Sequence, residues 1–276
     1  SWFNPGFLKL AKITWDTKAA VLEKIIQYER VHKIKDMNEL KRRLGEDRRF
    51  FSYFHPALDD EPIIFVQVAL TNGLGKSIQE IMKPSAEGAK KYDTATFYSI
   101  SNCQEGLSRV TLGNFLIKRV VYEIQEELPN IKNFGTLSPI PGFRDWFTTL
   151  DEKIIQNILG KIPYSNVSFL KSTDLKVGDG RIVSNKHAII KLVAHYLMNE
   201  KNKKGLPIND VCRFHLGNGA IIDDININAN VSEVGLNRSF GVMVNYLYEL
   251  KNIEKNHEDY INNKKIIISD QLKKKL

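Results

Sequence analysis

Three stretches of this 276-residue sequence carry reactive side chains in backbone that would hold them still. Ser138 is followed by Pro139-Ile140-Pro141-Gly142, a turn that two prolines stiffen. His215 stands in the segment Val211–Gly219, ending Phe-His-Leu-Gly-Asn-Gly. Tyr246 and Tyr248, two apart, point to the same side of a strand. A serine and a histidine invite a nucleophilic reading, the imidazole taking the hydroxyl proton. No Gly-x-Ser-x-Gly elbow surrounds Ser138, and no spacing selects Asp145 or Asp223 as a third member. His187 and His195 lie eight apart, too far for a two-histidine metal face on adjacent turns, and read as surface or packing residues.

The elements that must position these groups are clearest from Thr94 to Trp146. Ala95–Ser101 is β-branched and aromatic, the composition of a buried strand. Asn102–Thr111 is polar and contains Gly106. Leu112, Leu116, Val120, Ile124 and Leu128 then fall four apart, a helical stripe that Pro129 stops. Phe134–Ser138 reads as a second strand, so the unit is two parallel strands with a crossover helix, Ser138 at the carboxyl end of the second. Unpartnered N–H groups at the helix start, with Gly113 allowing close approach, suit an anion such as a phosphate at 104–114. An ordinary buried crossover has the same spacing.

The remaining chain reads as strands Phe7–Thr14, Phe50–Phe54 and Ile63–Leu70, and helices from Asp16 or Thr17 to Val31, Asp36–Leu44, Ser77–Met82, Phe143–Leu159 and Asn185–Asn199. Trp146, Phe147, Leu150, Ile154, Ile155 and Ile158 are expected to face inward. Pro207–His215 reads as a helical turn, Ala220–Val231 and Phe240–Leu250 as a hairpin around Gly235, and Ile253–Leu276 as a tail. Arg42, Arg43, Arg48 and Arg49 read as a solvated basic corner. Apolar content of 42% supports a core, and no apolar run approaches a membrane span. Cys103 and Cys212 are the only cysteines, which offers no disulfide framework or cysteine-built zinc site and fits a reducing compartment. Ser1-Trp2-Phe3, without a methionine, reads as cut from something longer. The net charge of +8 gathers in lysine runs without interleaved aromatics, which reads as solvated surface and not as a nucleic-acid or membrane site.

Taken together, Phe97-Tyr-Ser-Ile-Ser101, Leu112-Gly-x-Phe-Leu-Ile-Lys-Arg-Val120, Leu137-Ser-Pro-Ile-Pro-Gly-Phe143, Arg213-Phe-His-Leu-Gly-Asn-Gly-Ala220 and Gly241-x-Met-x-Asn-Tyr-x-Tyr248 resemble malonyl-CoA decarboxylase. The resemblance covers nearly the whole chain and is weakest from about Ile158 to Lys186. It corresponds to the catalytic half of that family, without the helical amino-terminal domain that members carry. It implies one α/β (α+β) domain over 1–276 with the GNAT acyltransferase fold: a central mixed twisted sheet flanked by helices, with a splayed parallel strand pair binding coenzyme A. It implies substrate contacts from Gln104, Glu105, Gly106, Thr111, Leu112, Gly113 and Asn114 around the diphosphate, and from Ser99 and Ser101 along the pantetheine arm. Catalytic roles are implied for Ser138, His215 and Tyr248. The reaction would release carbon dioxide from malonyl-CoA and leave acetyl-CoA, with no metal or separate cofactor, coenzyme A being part of the substrate. The family acid before Leu-Gly is Thr111 here, and an arginine of its final hairpin is Val234. Members are usually homo-oligomers, mitochondrial, peroxisomal or cytoplasmic. Two other readings stay open: an acyl-CoA-dependent acyltransferase, and an acyl-CoA-binding module with weakened catalysis.

Overall fold

The computed structural model describes residues 7–83, 91–103, 113–172 and 174–276. The chain forms two compact units, the first of Ser1–Gly75 and Ile81–Thr136, the second of Lys76–Glu80 and Leu137–Leu276.

In the first unit, β1 (Lys9–Lys12), β2 (Arg48–Phe54), β3 (Pro62–Thr71), β4 (Thr94–Asn102) and β5 (Asn133–Thr136) lie side by side in that order. The first three pairings are antiparallel and β4/β5 is parallel, so the sheet is mixed. Helices α1 (Ala19–Tyr28) and α2 (Met37–Arg43) follow β1, and α4 (Gly113–Glu127) precedes β5; the single turn α3 (Ile78–Ile81), next after β3 in the chain, falls mostly in the second unit. Side-chain alternation along β2 assigns the helices to faces. Phe50 joins Leu22, Ile25 and Leu40 in the core under α1 and α2. Tyr53, three residues on, turns the other way, donates to the Leu116 carbonyl of α4 at 2.9 Å, and lies under Arg119. With both faces covered, β3 is buried along nearly its whole length. Leu116, Val120, Ile124 and Leu128 of the α4 stripe are all buried, as the four-residue spacing requires.

A β-bulge marks β4. Gln67 of β3 stands opposite Ser99, and Val68 opposite Phe97, so Tyr98 is the extra residue. Parallel pairing with β5 spans Thr94 to Phe97, whereas β4 continues to Asn102. The strand is therefore re-aimed where its paired stretch with β5 ends.

The second unit has β8 (Met243–Leu247) paired antiparallel with β6 (Ser138–Pro139) on one edge and β7 (Ile221–Asn226) on the other. Around them run α5 (Phe143–Thr149), α6 (Glu152–Leu159), α7 (Gly180–Ser184), α8 (Lys186–Met198), α9 (Asp210–Gly217), α10 (Glu233–Ser239), α11 (Ile253–Asn263) and α12 (Asp270–Lys273). Helix α8 packs against α6 and β7 and buries eight residues, from Ala188 to Leu197.

Several expectations are corrected. Helix α1 starts at Ala19 with no side-chain cap, because the Thr17 hydroxyl instead accepts from the Thr14 N–H. Phe143–Leu159 is two helices: Leu150 is extended, and Asp151 caps α6 by accepting from the Ile154 N–H at 2.9 Å. Ile154 then points to solvent, 44% exposed. The last two strands are joined through α10 and not by a tight hairpin. The tail is ordered by α11, by a parallel bridge of Ile268 to Ile222, and by α12. Arg43, Arg48 and Arg49 are buried, not solvated: Arg43 pairs with Glu39 at 2.5 Å, Arg48 with Asp47 at 2.6 Å and Arg49 with Glu127 at 2.8 Å. Lys203, Lys204, Lys264 and Lys265 are exposed, as expected of solvated runs. Among the described residues no helix is long and apolar enough to cross a membrane.

Candidate active site

Ser138 is positioned by strand pairing. It stands opposite Val244 of β8, so alternation places Val244, Tyr246 and Tyr248 on its face. Phe134–Ser138, read as one strand, is divided into β5 and β6 with Leu137 between. Beyond Pro139 the chain turns, with Gly142 at φ +80°, a conformation that disfavours a side chain.

His215 is positioned by α9. Asn209 caps that helix by accepting from the Cys212 N–H at 2.8 Å, and its amide donates to the Pro141 carbonyl at 2.8 Å. Tyr196 of α8 donates to the same carbonyl at 3.2 Å. One asparagine thus ties the histidine's helix to the serine's loop. The far end is set by Gly219, at φ +81°, where an added Cβ would collide with the Ile253 carbonyl.

These constraints bring the three residues into one hydrogen-bonded line. The Ser138 hydroxyl lies 3.2 Å from His215 Nε2, and the Tyr248 hydroxyl 2.8 Å from His215 Nδ1. All three are buried. The Tyr246 ring stacks on the imidazole with centroids 4.6 Å apart, and Phe214 meets it edge-on at 5.0 Å. The shared orientation read from the spacing of Tyr246 and Tyr248 is thereby realised, one ring stacking and the other hydrogen bonding.

Burial pushes the His215 pKa down to about 3, so the ring is neutral near pH 7. It pushes the Tyr248 hydroxyl well above its ordinary range, so that group keeps its proton. A base this weak is poorly suited to deprotonating a serine, which argues against the nucleophilic reading. The third place is held by an uncharged tyrosine. Asp145 is exposed, and Asp223 accepts from Gln271 at 2.7 Å. Either ring nitrogen can carry the hydrogen of a neutral imidazole, and in the tautomer with it on Nε2 His215 donates to Ser138 and accepts from Tyr248. The arrangement is a preorganised set of neutral donors in a desolvated place, suited to charge that develops during a reaction.

The other candidate residues lie in the first unit. Gln104, Glu105, Gly106, Thr111 and Leu112 fall outside the described residues, and Gly113 and Asn114 open α4. Ser99 and Ser101 are buried with both hydroxyls turned to Glu29, at 2.8 and 3.2 Å. Cys212 is buried, its thiol pushed up to about 12 by burial. Among the described residues no group of three or more His, Cys, Asp or Glu could hold a metal ion. Sequence reading missed Asn209 and Tyr196. Asn209 had a legible signal, an asparagine just before a short helical run; Tyr196 had none, since its partner is a carbonyl 55 residues away.

A mixed sheet with a helix between two parallel strands, the first of them bulged, is the frame of a GNAT-like protein. The loading GNATL (GNAT-like) domain of CurA from Lyngbya majuscula shares this fold, with a TM-score of 0.53 at 11% identity over 89% of this chain and 98% of that one. Within that class, the chain belongs to the family described as malonyl-CoA decarboxylase C-terminal domain, whose model matches residues 6–276. Mitochondrial malonyl-CoA decarboxylase of Anser anser anser is 39% identical over 293 residues, an alignment covering 98% of this chain and 58% of the relative. The crystal structure of malonyl-CoA decarboxylase from Rhodopseudomonas palustris has a TM-score of 0.89 at 42% identity, covering 99% of this chain and 67% of that one. The chain thus spans somewhat more than half the length of the curated relatives it matches.

Proposed function

We propose that this chain is the catalytic portion of a malonyl-CoA decarboxylase, converting malonyl-CoA to acetyl-CoA and carbon dioxide. The observation that carries the reading is the buried line of Ser138, His215 and Tyr248. In the reaction the bond from the methylene carbon to the free carboxylate breaks. Its electron pair passes into the thioester to give an enolate, carbon dioxide leaves, and the enolate carbon takes a proton. The substrate's own thioester accepts the electrons, so neither a metal nor a separate cofactor is required.

The residues supply what the thioester cannot. The Ser138 hydroxyl, aligned by Nε2–H of His215, hydrogen-bonds the departing carboxylate and then the enolate oxygen, where each donor gains strength as charge builds. A thioester enolate is basic enough to take its proton from the Ser138 hydroxyl, and one proton taken up from solvent restores that hydroxyl, so His215 need not be an imidazolium. Tyr248 holds the ring's tautomer. A histidine poised near neutrality, the ordinary expectation for a proton donor, is replaced here by a neutral relay.

For the rest of the substrate, we assign the coenzyme A diphosphate to Gln104, Glu105, Gly106, Thr111, Leu112, Gly113 and Asn114, where a helix start offers free N–H groups. The pantetheine arm is assigned to β4, at Ser99 and Ser101, and β5. The family match runs across both units, which supports 1–276 acting as one catalytic domain. The same reading has the protein work as a homo-oligomer in a mitochondrial, peroxisomal or cytoplasmic compartment.

Mass spectrometry of malonyl-CoA incubated with the purified protein tests the proposal, with methylmalonyl-CoA and acetyl-CoA in parallel. Acetyl-CoA should accumulate without any acceptor. Turnover only when an amine or thiol acceptor is added would make the protein an acyltransferase. Binding of coenzyme A without turnover would make it a binding module.

A further inference from the structure

Glu29 follows directly on α1 and is buried, and the catalytic line does not use it. Its Oε1 accepts from the backbone N–H of Val31 at 2.7 Å, from that of His32 at 2.9 Å and from the Ser101 hydroxyl at 3.2 Å. Its Oε2 accepts from the Ser99 hydroxyl at 2.8 Å and from the Gln67 amide. The other end of Gln67, Oε1, accepts from the Tyr98 hydroxyl at 3.0 Å and from Arg43 at 3.4 Å. Every member belongs to the first unit.

The network converges on one backbone feature. Gln67 is the residue at which the register of β3 and β4 shifts, and Tyr98 is the extra residue of the bulge. Ser99 and Ser101 follow it, in the part of β4 beyond its pairing with β5. A bulge bends its strand, and the angle depends on what holds the inserted residue and the one after it. Here both are held by side chains, Tyr98 by Gln67 and Ser99 by Glu29. A buried carboxylate is costly unless donors surround it, and five donors fix this one in place. Apolar packing would fill the same space without fixing a direction.

We propose that Glu29 is a positioning residue for acyl-CoA binding: through Ser99, Ser101 and Gln67 it sets the angle at which β4 leaves β5. The proposal rests on the assignment of the pantetheine arm to that strand pair. It gives Ser99 and Ser101 a role through their hydroxyls that is indirect, holding the strand whose main chain meets the ligand.

Calorimetric titration of coenzyme A into the wild-type chain, Glu29→Gln and the Ser99→Ala/Ser101→Ala pair tests this, alongside malonyl-CoA kinetics and melting. Glu29→Gln is expected to raise the Kd for coenzyme A about tenfold, the scale of one charged hydrogen bond. KM should rise with it, and by more than kcat falls. The serine pair leaves Glu29 its backbone and Gln67 donors, so it keeps the fold and should raise Kd in the same direction. An unchanged Kd in that pair, whatever its melting temperature, would overturn the proposal and leave Glu29 a stabilising residue only. Failure of the wild-type chain to bind coenzyme A would instead overturn the ligand assignment itself.

Discussion

His215 is neutral because its surroundings cannot solvate a charge. The ring is buried against Tyr246, Phe214 and Tyr248, and its pKa falls to about 3. In the free enzyme, kcat/KM should therefore show no inflection from this imidazole between about pH 5 and 8, where an ordinary histidine titrates near 6.5. A single ionisation near 6.5 that disappears in His215→Asn would contradict the neutral relay. Tyr248→Phe keeps the ring and removes only the donor to Nδ1. It should lower kcat by about tenfold to a hundredfold, less than loss of Ser138, as the proposed role of holding the tautomer requires. Equal losses in the two variants would put Tyr248 on the substrate itself. Ser138, His215 and Tyr248 could be singled out in the sequence through the motifs around them that resemble the family, while spacing alone selected none of them. Their protonation could not be read there. It depends on burial supplied by β8 and α9 together, and neighbours distant in sequence leave no local pattern.

Helix α9 and the loop after β6 share one fastener, and that makes the element scale informative. Asn209→Ala removes both the cap on Cys212 and the bond to Pro141. Loss of the cap alone should cost about 1 kcal/mol of stability. Because the same side chain aligns the two halves of the serine–histidine pair, kcat should fall further than a stability loss of that size explains. Asn209→Asp restores the cap but not the donor to Pro141, so it should recover melting temperature more than turnover. Recovery of both together would make Asn209 a cap and nothing else. The long elements read well from sequence: the α4 stripe repeats over more than three turns, β3 is apolar from Ile63 to Leu70 but for Gln67, and β2 carries the aromatic cluster Phe50, Phe51, Tyr53 and Phe54. Short ones were lost. Helix α10 is seven residues with Gly235 inside it, too brief to show a period, although Ser232 caps it in plain view. Helix α11 buries only Ile253, Asn256 and Tyr260, a stripe too thin to separate from a polar tail. Arg49 was read as solvated because its partner Glu127 lies 78 residues away; Arg43 and Arg48 have partners close in sequence, and what the sequence did not show for them was burial.

At the scale of the molecule, the buried line also sets a stability limit. The unfolded chain protonates its imidazole near 6.5, whereas folded His215 resists protonation until about 3. Between these values the unfolded state binds more protons, so acidification favours unfolding. Stability should decline as pH falls from about 6.5 toward 3, by at most roughly 1.4 kcal/mol per unit from this group. Urea unfolding of the wild type and His215→Asn across that range would show it as a steeper decline in the wild type. Parallel slopes would mean that the imidazole is not the group responsible. The most direct test of the whole account is turnover of malonyl-CoA alone, followed as acetyl-CoA and carbon dioxide, by the wild-type chain and Ser138→Ala. The wild type should release both products in equal amounts, and the variant should lose about a hundredfold to a thousandfold in kcat while still binding coenzyme A. Near-equal turnover by the two proteins would contradict it.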